Sequence, residues 1–350
     1  MDNLEATTLT LTAQATAAAA GNATTAAVIT ARDNSSDVSD FGPGSIADVM
    51  HTAVICVLIV CIVLSNALVI ASVRLYAPLQ TTCNRFVVSL AAADITVALG
   101  VVVMLIFDAT GLQVKEGSYR HYVCFFRVGA PIVTTAVSIF NCLGIAVDRY
   151  IAVMYPLRYN SMMTMSLATK LTSGIWVYAI LLYTIPAVFV GNFDVICFFE
   201  AFMNKYHILA LELHYIVVLV IMLALYTAVM RASWRQARLI RRDEQSFQQQ
   251  TTSDHVDHVR RVMRTVKVFA LVIGIMFVCV TPAYTFYTWL AFKGETSGQP
   301  QYTIIAVCSD ILLFCNSTMN PVIYAFKYRE FKAAFRKLLR FGKYQNTGVY

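Results

Sequence analysis

The chain has 350 residues, of which 58% are hydrophobic and only 13% charged. A soluble domain carries about 25% charged residues, and a mean hydropathy of +0.63 leaves too little polar surface for a water-soluble globule. The net charge of +7 reads as a basic skirt at a membrane face, in contact with anionic lipid, and not as a nucleic-acid footprint.

Residues 1–48 are rich in Ala, Thr, Asp and Ser, a composition that cannot bury a core and predicts a disordered tail. This stretch lacks a basic n-region and a compact apolar core, so no cleaved signal peptide is expected and the first span acts as signal anchor. Asn22-Ala23-Thr24 and Asn34-Ser35-Ser36 are glycosylation sequons in that tail. A third match, Asn316-Ser317-Thr318, falls inside an apolar stretch and is set aside.

Seven apolar stretches then follow, at roughly 51–75, 84–109, 121–154, 166–191, 207–230, 265–292 and 302–326. Each is long enough to cross a bilayer, which takes about 20 helical residues. They are apolar all round, where a soluble helix would have a charged face. With the N-terminus outside, six cations face outward: Arg32, Lys115, Arg120, Arg127, Lys205 and Lys293. The remaining 21 of 27 Lys and Arg lie on the cytoplasmic side, as the positive-inside rule requires.

The loops are short, the longest cytoplasmic one covering roughly 241–258. After the seventh span, residues 327–340 place Phe331, Phe335, Leu338 and Leu339 at helical spacing among cations, an amphipathic helix for the cytoplasmic leaflet. The expected organisation is a tail over 1–48, a seven-span body over 49–326, this helix, and a short tail over 341–350. There are nine cysteines, so a complete pairing is excluded. Seven fall within or at the ends of spans, and Cys124 and Cys197 fall at the outer mouth. A bond between those two would tie a loop over the bundle in the oxidising exterior, although the residues alone leave the pairing open.

Short motifs recur span by span. They are Ser65-Asn66-Ala67-Leu68-Val69 in the first span, Ser89-Leu90-Ala91-Ala92-Ala93-Asp94 in the second, and Asp148-Arg149-Tyr150 in the third. Trp176 and Pro186, then Tyr226, then Pro282, then Asn320-Pro321-Val322-Ile323-Tyr324 mark the remaining four. In this order and at these depths they resemble the rhodopsin-like (class A) G-protein-coupled receptors over roughly residues 50–340. The resemblance implies an all-α seven-transmembrane bundle with a short helix 8, a multi-pass plasma-membrane location, and no enzymatic activity. It implies a heterotrimeric G protein, an extracellular ligand, arrestin and a receptor kinase as partners, besides the bilayer. It also implies the Cys124–Cys197 disulfide.

Arg149 lies 25 residues after Cys124, about 37 Å of helix, and so reaches the cytoplasmic mouth. By resemblance, Asp148 holds it in the resting state, and Tyr226 and Tyr324 swing toward it on activation, with Arg231, Arg235, Arg264 and Lys267 nearby. Asp94 is an acid inside an apolar span, which is costly and therefore functional by default. The resemblance implies a sodium ion among Asp94, Ser138, Asn316 and Asn320. Without an ion, the same residues read as a buried hydrogen-bonded network. Pro282 and Pro321 interrupt backbone hydrogen bonds where helices can bend.

The chain also departs from the pattern. Val280 stands where the family carries a Trp, Met276 where it carries an aromatic, Val218 where it carries a Pro, and Val262 where an inner acid would lock Arg149. Raised basal activity, or a receptor-shaped protein that does not signal, follows as the alternative. A transporter would show repeated half-domains, and none is present in the sequence.

Phe86 to Ile95, Pro156 to Asn160, and Cys197-Phe198-Phe199-Glu200 look adenosine-receptor-like. The positions for an adenine-binding Asn and a ribose-binding His hold Tyr287 and Phe314, which argues against adenosine, an adenosine-like nucleoside remaining the alternative. The expected ligand residues are Thr135, Phe199, Glu200, His214, Tyr287, Asp310 and Phe314. Asp310 is the sharpest of them, because a buried acid needs a partner. A cationic small molecule or peptide supplies one, and an internal His or Arg127 is the bland counterpart.

Overall fold

The computed structural model describes residues 46–110, 118–190, 199–246, 253–296 and 300–344. Met1–Ala53 and Val54–Tyr350 are separate units, and the helix packing belongs to the second. Every element in the described residues is helical. Eight long helices follow in chain order: α1 (Ile46–Leu75), α2 (Thr82–Thr110), α3 (Ser118–Met154), α4 (Met165–Val190), α5 (Lys205–Ser246), α6 (Ser253–Lys293), α7 (Thr303–Lys327) and α8 (Arg329–Tyr344).

The first seven are long and apolar enough to cross a membrane, with spans such as Val49–Leu75 in α1 and Thr303–Lys327 in α7. Val57, Leu64, Leu181, Val217 and Val220 are exposed on their outer faces. Such faces are stable against hydrocarbon, because an α-helix satisfies its own backbone polar groups.

The buried side is continuous. Val69, Phe86, Ile145, Met222, Val272 and Tyr324 belong to one cluster that joins α1, α2, α3, α5, α6 and α7. A second cluster, with Cys124, Val128, Tyr183, Phe202 and Ile208, closes the end of the bundle where α3 begins. Gly144 lets α3 approach α2, since a Cβ there would lie 2.5 Å from the ring of the fully buried Phe86. Gly144→Ala should therefore destabilise the purified protein by about 1–3 kcal/mol through overpacking. An unchanged melting temperature in detergent would show that the two helices have room to part.

Two expectations change. The third loop is shorter than 241–258, because α5 continues to Ser246 and α6 starts at Ser253. No Gly or Pro interrupts 205–252, and Arg, Gln, Ala, Leu and Glu in that stretch are good helix formers. The aromatic residues of α8 do not form its membrane face. Phe331 and Phe335 are buried, and Phe331 stacks on Tyr324 with ring centroids 5.3 Å apart, which fastens α8 to the end of α7. Leu339 is exposed.

Candidate functional site

Two polar assemblies occupy opposite ends of α3. At the end carrying Arg149, Asp148 is fully buried. It accepts from Arg149 Nε at 2.9 Å and from an Arg149 guanidinium nitrogen. Its other oxygen accepts from Tyr159 Oη at 2.9 Å and from Thr82 Oγ1 at 3.1 Å. Those two hydroxyls lie 2.6 Å apart, so two protons serve three short contacts and form a network. Burial, then the Asp148 carboxylate, pushes the Tyr159 phenol up to about 12. It keeps its proton at physiological pH and remains a donor. The sequence reading had missed Thr82 and Tyr159. The signal available was a Tyr eleven residues past Asp148, at the start of the short helix Tyr159–Met162 that follows α3.

Tyr226 is buried there, and its Oη has no hydrogen-bond partner among the described residues, which costs about 1–3 kcal/mol in this packing. Tyr324 is buried one helix away on α7. Tyr150 is half-buried, with its ring 6.5 Å from Tyr155.

Mid-bundle, Asp94 is fully buried. It accepts from Ser317 Oγ at 2.7 Å and from Asn320 Nδ2 at 3.3 Å. Ser317 and Asn320 are three residues apart and so share a face of α7. Ser317 thus holds the place expected of Asn316, which is buried nearby on α7, as Ser138 is on α3. Pro321 has no N–H, which frees the carbonyl of Ser317 four residues earlier. Asn66 Nδ2 on α1 donates to that carbonyl at 3.1 Å. The proline break is thereby capped by the fully buried asparagine of the α1 motif.

At the end carrying Cys124, a cavity of about 350 Å³ opens between α3, α5, α6 and α7. From α3 it is lined by Arg127, Val128, Pro131, Ile132 and Thr135, with Phe199 beside them. Ile208 and Leu211 of α5, and Ala283, Tyr284, Tyr287 and Thr288 of α6, make further walls. Thr303, Ala306, Val307, Asp310 and Leu313 close it on α7. Tyr287 Oη donates to Asp310 Oδ1 at 2.8 Å, and the rings of Phe199 and Tyr287 meet edge-to-face at 6.0 Å.

Four of the expected ligand residues, Thr135, Phe199, Tyr287 and Asp310, share this cavity. Two do not. His214 sits between Phe140 and Tyr178, with ring centroids at 5.3 and 5.9 Å, on the far side of α5. Phe314 is half-buried outside the lining, because the α7 stretch that faces the cavity ends at Leu313. The side chain of Glu200, and all of Cys197, Asn22 and Asn34, lie outside the described residues. Cys124 is fully buried at the head of α3.

The missing Trp and Pro leave a different connection beneath the cavity. Val280 and Met276 are buried in the large core and do not reach the lining. Tyr284, one turn nearer the cavity, lines it, and its ring lies 5.0 Å from that of Tyr215 on α5. Tyr215 Oη and Thr281 Oγ1 are 2.9 Å apart. Tyr284 stands four residues from Val280, on the same helix face, and that spacing could have revealed it.

Seven spanning helices, a cavity at one end and a buried Asp–Arg pair at the other define a membrane receptor. The chain belongs to the rhodopsin family of seven-transmembrane receptors, whose family model (7 transmembrane receptor, rhodopsin family) matches residues 65–324. It is 30% identical to the adenosine receptor A2a of Canis lupus familiaris, over 79% of this chain and 69% of that protein. It is 28% identical to the adenosine receptor A2b of Homo sapiens, over 83% and 90%. With the octopamine receptor beta-2R of Chilo suppressalis the identity is 25%, over 91% and 86%.

Proposed function

We propose that this receptor, with its N-terminus outside the cell, binds a small ligand in the Asp310 cavity and activates a heterotrimeric G protein through Arg149. The observation that carries this reading is α3 itself, which lines the cavity at one end and holds Asp148–Arg149 at the other. A ligand pressing on Tyr284 acts on Tyr215 and Thr281, and so on how α5 and α6 pack about Pro282. When the far ends of the helices part, Arg149 leaves Asp148, and the unpartnered Tyr226 hydroxyl gains a charged neighbour. The first change costs the resting pair and the second rewards opening, so the two packings compete as a two-state switch requires. Val280 and Met276 give the connection less aromatic bulk than the family norm, which supports raised basal activity.

Arg149→Ala should abolish ligand-independent and ligand-driven nucleotide exchange at equal surface expression. Intact exchange in that variant would end the role of Arg149.

The cavity volume is at the low end for small-molecule sites, which supports a small molecule over a peptide. Relatives named for adenosine and for octopamine leave nucleoside and amine both open. Asp310 favours a ligand with a cationic or strong donor group, held against Phe199 and Tyr287. A sodium ion beside Asp94 belongs to the same reading. The carboxylate and the buried hydroxyls of Ser138 and Ser317 are the hard oxygen donors such an ion takes, and it would hold α2, α3 and α7 in the resting packing. Arrestin and a receptor kinase are proposed as further partners, on family resemblance alone.

A Cys124–Cys197 disulfide, glycans on Asn22 and Asn34, and the tail limits at residues 48 and 341 complete the proposal. Peptide mapping under non-reducing conditions should find Cys124 and Cys197 in one linked pair. Recovery of both as free thiols would overturn it.

A further inference from the structure

The cavity wall carries two opposite charges. Among the described lining residues, Arg127 on α3 is the cation and Asp310 on α7 the anion. The rest of the wall is largely apolar, with Val128, Ile132, Leu211, Val307 and Leu313 among its residues. Neither charge is bare at rest. Asp310 accepts from Tyr287, and both residues have further partners within the protein. A ligand that binds here must replace what each charge holds. An incoming monocation would satisfy Asp310 and leave Arg127 with an added like charge in an apolar chamber. An incoming monoanion would do the reverse. A charge deprived of its partner in such surroundings is expensive.

We infer that the cavity selects an amphipathic zwitterion: an ammonium group for Asp310, an acid group for Arg127, and an apolar or aromatic side chain packed against the rest of the wall. Its net charge of zero matches that of the wall. The Arg127 guanidinium offers a planar fork suited to a carboxylate. The edge-to-face pair of Phe199 and Tyr287 at 6.0 Å presents aromatic surface to the ligand body. Amino acids with large apolar side chains, and small dipeptides of them, have this chemistry. The inference rests on the reading of the cavity as the ligand site and adds the second, acid-binding pole.

In the sequence Arg127 is one of the six outward cations and the internal counterpart of Asp310. It stands four residues before Pro131, and therefore on the same helix face. That spacing, read with the positive charge, is the signal for the acid subsite.

The test uses the purified full-length receptor and its melting temperature in detergent, which a bound ligand raises with the logarithm of its concentration relative to Kd. The probes are tryptophan and phenylalanyl-leucine, each compared with its C-terminal amide, which lacks the acid, and its N-acetyl derivative, which lacks the ammonium. The zwitterion should stabilise at concentrations roughly 30-fold or more below either derivative. Arg127→Gln should remove the advantage over the amide alone, and Asp310→Asn the advantage over the N-acetyl compound alone. Should either variant fail to fold, the comparison on the unaltered receptor decides. An amide as effective as its parent overturns the acid pole and leaves the cationic-ligand reading standing. Absence of a shift with both zwitterions overturns the inference as well. Neither result touches the coupling role of Arg149, which nucleotide exchange tests by itself.

Discussion

Asp148→Ala should lower the melting temperature of the receptor and raise its ligand-independent nucleotide exchange together. Asp148 is fully buried and takes hydrogen bonds from Arg149, Thr82 and Tyr159. Its removal leaves the guanidinium, whose side chain is only 12% exposed, without its carboxylate. Breaking a buried charge pair from one side costs about 3–5 kcal/mol. That penalty falls on the resting packing, where Arg149 is enclosed, and not on an arrangement in which it turns toward a partner protein. A 3 kcal/mol bias moves a two-state equilibrium by roughly 100-fold, so basal exchange should rise as thermal stability falls. Tyr159→Phe removes one donor and leaves the charge pair intact, so it should shift both readouts in the same direction by much less, about 1 kcal/mol. If Asp148→Ala melts at the unaltered temperature and exchange stays at its basal level, the pair is not what holds the resting state.

Adenosine should activate this receptor only above micromolar concentrations, despite 30% identity to an adenosine receptor. By family resemblance, Tyr287 and Phe314 replace the Asn and the His that would hydrogen-bond the base and the ribose. In the structure the first replacement is already engaged, with its hydroxyl donating to Asp310 at 2.8 Å. The second stands outside the cavity lining. A buried polar group of a ligand left without its partner costs roughly 2–5 kcal/mol. Two such losses weaken binding by at least about 10³-fold, at roughly 1.4 kcal/mol per decade. A dose–response curve of nucleotide exchange with adenosine checks this. Half-maximal activation below a micromolar would show that the nucleoside finds other partners among Thr135, Thr288 and Asp310.

The amino-acid sequence by itself determined the number of spans and their limits, because a bilayer of fixed thickness demands about 20 apolar residues per helix. It also determined the depth of each motif along its helix, since the rise per residue is constant. Asp148 and Arg149 at one end of α3, and Cys124 at the other, follow from that alone. The acid of α2 was legible as well, because a charge inside an apolar span has no cheap place to be. What only the tertiary structure decided is how each helix is turned about its own axis and which neighbour it meets. Sequence spacing places Asp310 and Phe314 on one face of α7, yet the cavity takes Asp310 and Leu313 and leaves Phe314 outside. His214, expected among the ligand residues, packs against Phe140 and Tyr178 instead. Phe331 and Phe335 have the pattern of a lipid-facing stripe and instead lock α8 onto Tyr324. The place of Ser317 rather than Asn316 beside Asp94, the Thr82–Tyr159 clasp on Asp148, and the presence of Arg127 and Asp310 in one cavity wall are of the same kind. In a helix that is apolar all round, periodicity does not mark the inward face. Helix rotation is set by close packing between neighbours, by small residues such as Gly144 and by breaks at Pro282 and Pro321, which are long-range contacts that no local pattern encodes.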